Sequence, residues 1–130
     1  MIGYDNVRPD AELRAMGVEP VDLATLAAQA GMRQDEAYWI RHKGNALVHK
    51  GRYDIGLESY RAALAIYESL GAKAELAEGV HDLGRLYLRL GDRDSAERSF
   101  RRALELSRSI GLARGVTTNQ LALGDLELRG

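Results

Sequence analysis

The chain has 130 residues, the size of one domain, and its 18 basic and 19 acidic residues give a formal net charge of −1. This balance argues against a general nucleic-acid-binding protein, which is normally basic. Because the chain has no cysteine, disulfides and thiolate metal sites are excluded. No apolar run reaches the roughly 20 residues of a membrane span, and the N-terminus has no basic, apolar leader, so we expect a soluble cytoplasmic protein.

Residues 1–33 are predicted to form an N-terminal capping segment with a degenerate repeat helix. The stretch PVDLATLAAQAG, residues 20–31, aligns with YRAALAIYESLG, residues 60–71. Pro20 is a good first residue for a helix, and the apolar residues that follow predict a helix from Val21 to Ala30. We expect Gly31 to end this helix and the segment to cover the first repeat on its solvent side.

Residues 34–72 and 73–112 are predicted to be two copies of one helical pair. Glycines recur with a period of about 40 residues, which is typical of stacked units: Gly44, Gly84 and Gly124; Gly51 and Gly91; Gly31, Gly71 and Gly111. In the second copy, residues 73–90 and 94–110 both carry apolar side chains at helical spacing. Gly91 suits a left-handed C-cap and Asp92 or Asp94 an N-cap, so the two helices are predicted to be antiparallel neighbours.

Three of these glycines, Gly44, Gly84 and Gly124, lie inside predicted helices. Gly costs about 1 kcal/mol relative to Ala in a helix interior, so their recurrence needs a structural reason. A residue without Cβ lets another helix approach closely. We therefore predict that the first helix of a repeat packs tightly on its own second helix, with Gly84 as the contact point and Ala96 and Ala103 as small residues on the facing helix.

The second repeat resembles the tetratricopeptide repeat (TPR) in the order and spacing of its signature residues. These residues are Val80, Leu83, Gly84, Tyr87, Ala96, Phe100 and Ala103. The first repeat matches at Ile40, Gly44, Leu47, Gly56, Tyr60 and Ala63, and the third ends after Leu123 and Gly124. Two features depart from the family: the period exceeds the usual length of about 34 residues, and Glu68 and Arg108 replace its proline. The resemblance covers about residues 34–130 and implies an all-α, right-handed α-solenoid of antiparallel helix pairs.

The resemblance also implies a non-catalytic interaction or scaffold protein that holds a peptide or helix in a concave groove lined by the first helix of each repeat. The candidate groove residues are Tyr38, Arg41, Asn45, Val48, His49, His81, Arg85, Leu88 and Arg89. The arginines favour an acidic partner, and apolar residues on a solvent face favour peptide contacts. Family members that bind acidic chain ends use a clamp of basic and hydrogen-bonding side chains in this groove. Arg41 and Asn45 occupy matching places in this chain, but Asp82 stands where an Asn would help to bind a carboxylate. The alternative interpretation is an ordinary solvated helix face.

Residues 113–130 are predicted to form the first helix of an incomplete third repeat. Its apolar residues are Val116, Leu121, Leu123, Leu126 and Leu128. Without a second helix to cover them, we predict a self-association edge that forms a homodimer. A longer repeat array and a self-capping last helix are the alternatives.

No constellation of catalytic residues is found in the sequence. The chain has three histidines, His42, His49 and His81, of which His42 and His49 lie seven apart and lack carboxylates at metal-binding spacing. The nucleophile and phosphate-binding glycine motifs are absent. We therefore predict a non-enzymatic protein that uses no metal or cofactor and binds neither nucleic acid nor membrane. The alternatives to a groove-binding protein are a self-assembling structural protein and a regulatory segment of a larger transcription regulator or signalling ATPase.

Overall fold

The computed structural model describes the backbone of residues 23–129 and the side chains of residues 28–128. Its helices are α1 (Leu23–His49), α2 (Tyr53–Leu70), α3 (Lys73–Arg89), α4 (Arg93–Ser109) and α5 (Ala113–Arg129). The chain divides into two units, Met1–Met32 and Arg33–Gly130, and the packing below belongs to the second. None of the helices in the described part is long and apolar enough to cross a membrane.

The C-terminal ends of α2, α3 and α4 lie where the sequence predicts, because the connection after each of these helices uses a glycine in the left-handed region. Gly71 and Gly91 have φ angles of 67° and 80°, which residues with a Cβ adopt only at a cost. After α2, the N–H of Ala72 donates to the carbonyl of Tyr67 at 3.0 Å, as in a Schellman motif. At the start of α4, Asp92 is the N-cap, and its Oδ1 accepts a hydrogen bond from the Ser95 N–H at 3.1 Å.

The predicted helix boundary at Gly31 is wrong. Leu23–His49 is one continuous helix of 27 residues, so the described part of the predicted Val21–Ala30 helix continues directly into the first repeat. Gly31 is not among the glycines with positive φ, and the residues that follow it are good helix formers. Residues 1–22 of the predicted capping segment lie outside the described residues.

Within the second unit, the helices lie in two layers. One layer consists of α1, α3 and α5. In it, Gln34 of α1 donates to Glu75 of α3 at 3.0 Å, and His81 of α3 contacts Asn119 of α5. The other layer consists of α2 and α4, which are joined by a salt bridge of 3.2 Å between Glu68 and Arg102. The spacing along the chain from the start of α2 to the start of α4 equals that from the start of α3 to the start of α5. This all-α helical repeat is the predicted fold class.

The mid-helix glycines of the first two repeats are contact points between layers. A Cβ on Gly84 would lie 2.8 Å from Cε1 of Phe100, and one on Gly44 would lie 2.9 Å from Cβ of Ser59. The predicted close packing at Gly84 is therefore confirmed. The side chain over this glycine is that of Phe100, and the small residues Ala96 and Ala103 are fully buried on the same helix. Nothing lies within 4 Å of a Cβ built on Gly124, the equivalent glycine of the last helix, α5.

Candidate peptide-binding surface

A cleft of about 160 Å³ opens between α1 and α3, and we call it the α1–α3 cleft. Its lining residues are Asn45, Val48, His49, Tyr60, Asp82, Arg85, Leu86 and Arg89. At the base, the hydroxyl of Tyr60 donates to Oδ1 of Asn45 at 2.9 Å. Burial raises the pKa of Tyr60, so this hydroxyl keeps its proton and remains a donor at neutral pH. The cleft combines an apolar floor with a polar, cationic rim.

Five of the predicted groove residues line this cleft, and Asn45, His49, Arg85 and Arg89 are exposed there. The prediction that Val48 lies on the solvent face of the groove is corrected, because Val48 is only 6% exposed and packs with Tyr60 and Leu86 in the core. It faces α2, where a Cβ on Gly56 would lie 2.6 Å from its Cγ2. Val48 therefore belongs to the floor of the cleft and to the core at once.

Leu88 and Tyr38 were predicted in the groove, but neither lines the α1–α3 cleft. Leu88 is half-buried against the core cluster of Phe100 and Leu126, so its assignment to the groove is wrong. Tyr38 is exposed and forms an aromatic group with Trp39 and His42, in which the Tyr38 and His42 ring centroids lie 4.1 Å apart.

Arg41 is engaged with carboxylates of the neighbouring helix. Its Nη1 lies 3.4 Å from Oδ2 of Asp82, its Nη2 lies 3.3 Å from Oε1 of Glu78, and its side chain is only 12% exposed. These contacts connect α1 to α3. They also occupy the positive charge of Arg41, which the clamp interpretation expected to bind the ligand. Asp82, which stands where an Asn would help the clamp, is the residue that neutralises Arg41. Capture of a terminal carboxylate by Arg41 is therefore not supported.

A larger cleft of about 440 Å³ lies between α3 and α5, and we call it the α3–α5 cleft. It contains the predicted residue His81, together with Glu78, Asp82, Arg114 and Thr118. Nδ1 of His81 lies 2.9 Å from Oδ1 of Asn119, whose Nδ2 donates to the carbonyl of Gly115 at 2.7 Å. Because the amide nitrogen is used as a donor, its oxygen faces His81, and Nδ1 of the imidazole carries the proton.

Asn119 is a site residue that sequence reasoning missed. It is 2% exposed and holds His81 in place across the α3–α5 cleft. The sequence did carry a signal for Asn119, namely its position in the repeat. Asn119 is the equivalent of Gly79 in the preceding repeat, and Gly79 is buried against Leu64 of α2. A polar side chain at a buried position of the repeat requires hydrogen-bond partners. The Asn at this position therefore predicts a specific hydrogen-bonding contact.

A family model described as tetratricopeptide repeat matches residues 35–109, from within α1 to the end of α4. This chain belongs to the tetratricopeptide repeat family. TPR domains generally mediate protein–protein interaction or scaffolding, typically bind protein partners and are typically non-catalytic. None of the curated proteins with which the chain was compared matches it significantly.

The last TPR helix, α5, buries only part of the predicted self-association edge. Leu126 is 4% exposed and packs against Ala96 and Phe100, and Leu123 is half-buried against the same cluster. Both therefore belong to the core, so the prediction that they form an exposed edge is wrong. Val116 is half-buried, whereas Leu121 and Leu128 are 69% and 90% exposed. The uncovered apolar surface thus consists mainly of Leu121 and Leu128.

Asp82 makes the stability of this TPR unit depend on pH. Burial raises the pKa of Asp82, and the neighbouring Arg41 only partly opposes this effect. The folded chain therefore binds this proton more tightly than the unfolded chain, so the contribution of Asp82 to stability falls as pH rises from 3.8, its ordinary pKa, through the raised value. We expect the free energy of unfolding of the wild type, relative to Asp82→Asn, to decrease as the pH rises above 3.8, the ordinary pKa of the carboxyl group. Urea unfolding of both proteins measures this difference, and an increase with pH would mean that the Arg41 ion pair outweighs burial.

Proposed function

We propose that this TPR chain is an interaction module that binds an acidic peptide or helix along the α1–α3 cleft. The observation that carries the proposal is a pair of uncommitted cations. Arg85 and Arg89 lie one turn apart on α3, line the cleft and are exposed. Among residues 28–128 neither forms a salt bridge or hydrogen bond, in contrast to Arg41. Two arginines on one helix face can each bind a carboxylate in a bidentate manner.

The polar groups opposite the arginines suit a peptide backbone. Tyr60 already satisfies the side-chain oxygen of Asn45, which leaves the Asn45 amide nitrogen as a donor for a carbonyl or carboxylate oxygen. His49 is exposed at the same rim. Val48 and Leu86 form an apolar floor on which a side chain of the ligand can pack. The cleft therefore supports recognition of an acidic peptide with apolar residues between its carboxylates.

Replacement of Arg85 and Arg89 by Ala is expected to weaken binding of an acidic peptide about 2- to 30-fold, because exposed charge pairs contribute about 0.2–1 kcal/mol each. The probe is a labelled decapeptide of alternating Glu and Ala, and fluorescence anisotropy gives its Kd. The loss should be larger at about 20 mM salt than at about 200 mM salt, because salt screens exposed charges.

The matched control replaces Arg98 and Arg101 by Ala, which removes the same charge from the exposed side of α4. These residues contact Ser95 and Glu97 of their own helix, so we expect the peptide to bind this variant as it binds the wild type. A second control peptide has Gln in place of Glu and should bind only weakly. Equal losses in the two double variants, or equal binding of both peptides, would exclude the α1–α3 cleft as an acidic-peptide site.

A further inference from the structure

The last turns of α2 and α4 share one backbone structure but carry different side chains. After α2, the N–H of Ala72 donates to the carbonyl of Tyr67 at 3.0 Å, and after α4, the N–H of Leu112 donates to the carbonyl of Ser107 at 2.8 Å. Tyr67 and Ser107 are therefore equivalent positions of the two repeats, one with a large aromatic side chain and one with a small hydroxyl.

In the first repeat, the side chain of Tyr67 packs between α1 and α3. Tyr67 is 1% exposed and belongs to the core cluster that contains Ala37 of α1. Burial raises the pKa of its hydroxyl, on which Arg41 of α1 and Glu75 and Glu78 of α3 also act electrostatically. The ring of Tyr67 thus extends from α2 into the contact between the two neighbouring helices.

In the second repeat, the equivalent space is the α3–α5 cleft of about 440 Å³. The residues around Tyr67 have their equivalents in the lining of this cleft: Ala77 for Ala37, His81 for Arg41, Gly115 for Glu75 and Thr118 for Glu78. Because Ser107 supplies no ring, the space that Tyr67 takes up in the first repeat stays open here. Its volume is within the range of small-molecule sites.

A buried hydroxyl without a partner lies on the inner side of the α3–α5 cleft. Ser107 is 1% exposed, and among residues 28–128 its Oγ forms no hydrogen bond. Gly115 leaves the space that this oxygen needs, since even a Cβ there would collide with it. Buried hydroxyls normally have a partner, so the lone pairs of this Oγ are free for a ligand. On the outer side, Glu78 and Thr118 are exposed, and a ligand can enter between them.

We propose that the α3–α5 cleft binds a phenol ring, which takes the place that the ring of Tyr67 occupies one repeat earlier. The ring enters from the outer side, so its hydroxyl points inward and donates a hydrogen bond to Oγ of Ser107. Ala77 and Leu112 contact the faces of the ring, and its para substituent points to solvent. This site is separate from the α1–α3 cleft, with which it shares the lining residue Asp82.

The probes are p-cresol, which is the isolated side chain of tyrosine, and toluene, which lacks the hydroxyl. Each is titrated into the ¹⁵N-labelled 130-residue chain, and amide chemical shifts are followed. We expect saturable shifts at Gly115 and Asn119, with a Kd for p-cresol of about 1 mM, as for a ligand of this size. p-Cresol should bind about 2- to 12-fold more tightly than toluene, which is the contribution of one hydrogen bond.

A phenol ring can belong to a tyrosine of a partner polypeptide or to a free phenolic molecule, and a third probe, N-acetyltyrosinamide, separates these sources. Its peptide groups extend from the para position of the ring. Tighter binding than that of p-cresol identifies a tyrosine side chain as the ligand, and weaker binding identifies a free phenol.

Ser107→Ala should bind p-cresol no more tightly than toluene. The variant is expected to keep the fold, because it removes a buried hydroxyl that has no partner. Ser107→Tyr restores the ring of the first repeat and should abolish the binding of both probes. The controls are Ser99→Ala, at a buried position of α4 outside the cleft, and Ser109→Tyr, at an exposed position of α4. Both should bind as the wild type does.

Absence of saturable shifts at the cleft, or equal binding of p-cresol and toluene by the wild type, would overturn the proposal. Persistence of the preference for p-cresol in Ser107→Ala would also overturn it, since the ligand hydroxyl would then contact another group. The comparison with Ser107→Ala decides the matter even where Ser107→Tyr does not fold.

Discussion

Replacement of Leu126 by Glu is expected to lower the free energy of unfolding by about 3–5 kcal/mol. Leu126 is 4% exposed and packs with Ala96 and Phe100 where α4 meets α5. Loss of a buried Leu side chain alone costs about 2–5 kcal/mol, and the carboxylate adds a desolvation penalty. The backbone carbonyl of Leu126 also accepts a hydrogen bond from Arg93 of α4, so displacement of this turn would disturb a second contact. Chemical denaturation followed by circular dichroism measures the loss.

Leu128→Glu is the matched control, because Leu128 is 90% exposed on the same helix. Surface substitutions of this kind usually change stability by no more than about 0.5 kcal/mol. The two leucines stand two positions apart, so the comparison isolates the side of α5 that α4 covers. If both variants lose the same stability, or neither does, the packing of α4 on Leu126 is incorrect.

Gly84→Leu is expected to destabilise the fold by about 1–3 kcal/mol or more, as overpacking does in closely packed cores. Even a Cβ at this position would lie 2.8 Å from the ring of Phe100, and a Leu side chain would extend further into the same space. The ring cannot move freely, because Phe100 is 1% exposed and packed among Ala96 and Leu126. Thermal unfolding should show a clear decrease in Tm.

Gly124→Leu places the identical change at the equivalent position of α5, where nothing lies within 4 Å of the new Cβ. Here the helix-propensity term dominates, and Leu in place of Gly should stabilise the helix by up to about 1 kcal/mol. The two substitutions are therefore expected to have opposite signs. Equal effects at the two positions would show that the contact between Gly84 and Phe100 does not limit packing.

Local structure was predicted well from the sequence, because its causes are local. Gly71, Gly91 and Gly111 terminate helices through backbone conformations that favour glycine, and Asp92 caps α4 through a neighbouring N–H. Gly31 shares their period but lacks their conformation, and α1 continues through it. Glycine permits a left-handed turn and does not require one, so the period alone could not locate this helix end.

The candidate surface was predicted less completely, because a helical pattern does not specify which faces neighbouring helices cover. The groove assignments of Asn45, Arg85 and Arg89 agree with their exposure along the α1–α3 cleft. Val48, Leu88 and Leu126 were assigned to open surfaces, but side chains of neighbouring helices bury them wholly or partly. Their apolar character is compatible with a groove, an edge or a core.

The sequence by itself determined the family, the pairing of antiparallel neighbours and the helices with their caps, except for the continuation of α1 through Gly31. These features depend on backbone propensity and on a spacing repeated along the chain. Only the tertiary structure decided which charges and apolar side chains remain available to a partner. In the sequence, Arg41 and Arg85 are both arginines on predicted groove-lining helices. In the structure, Arg41 of α1 pairs with Glu78 and Asp82 of α3, whereas Arg85 is exposed. The physical reason is that ion pairing and burial depend on distances between residues that are far apart in the chain, and the packing of one repeat on the next sets these distances.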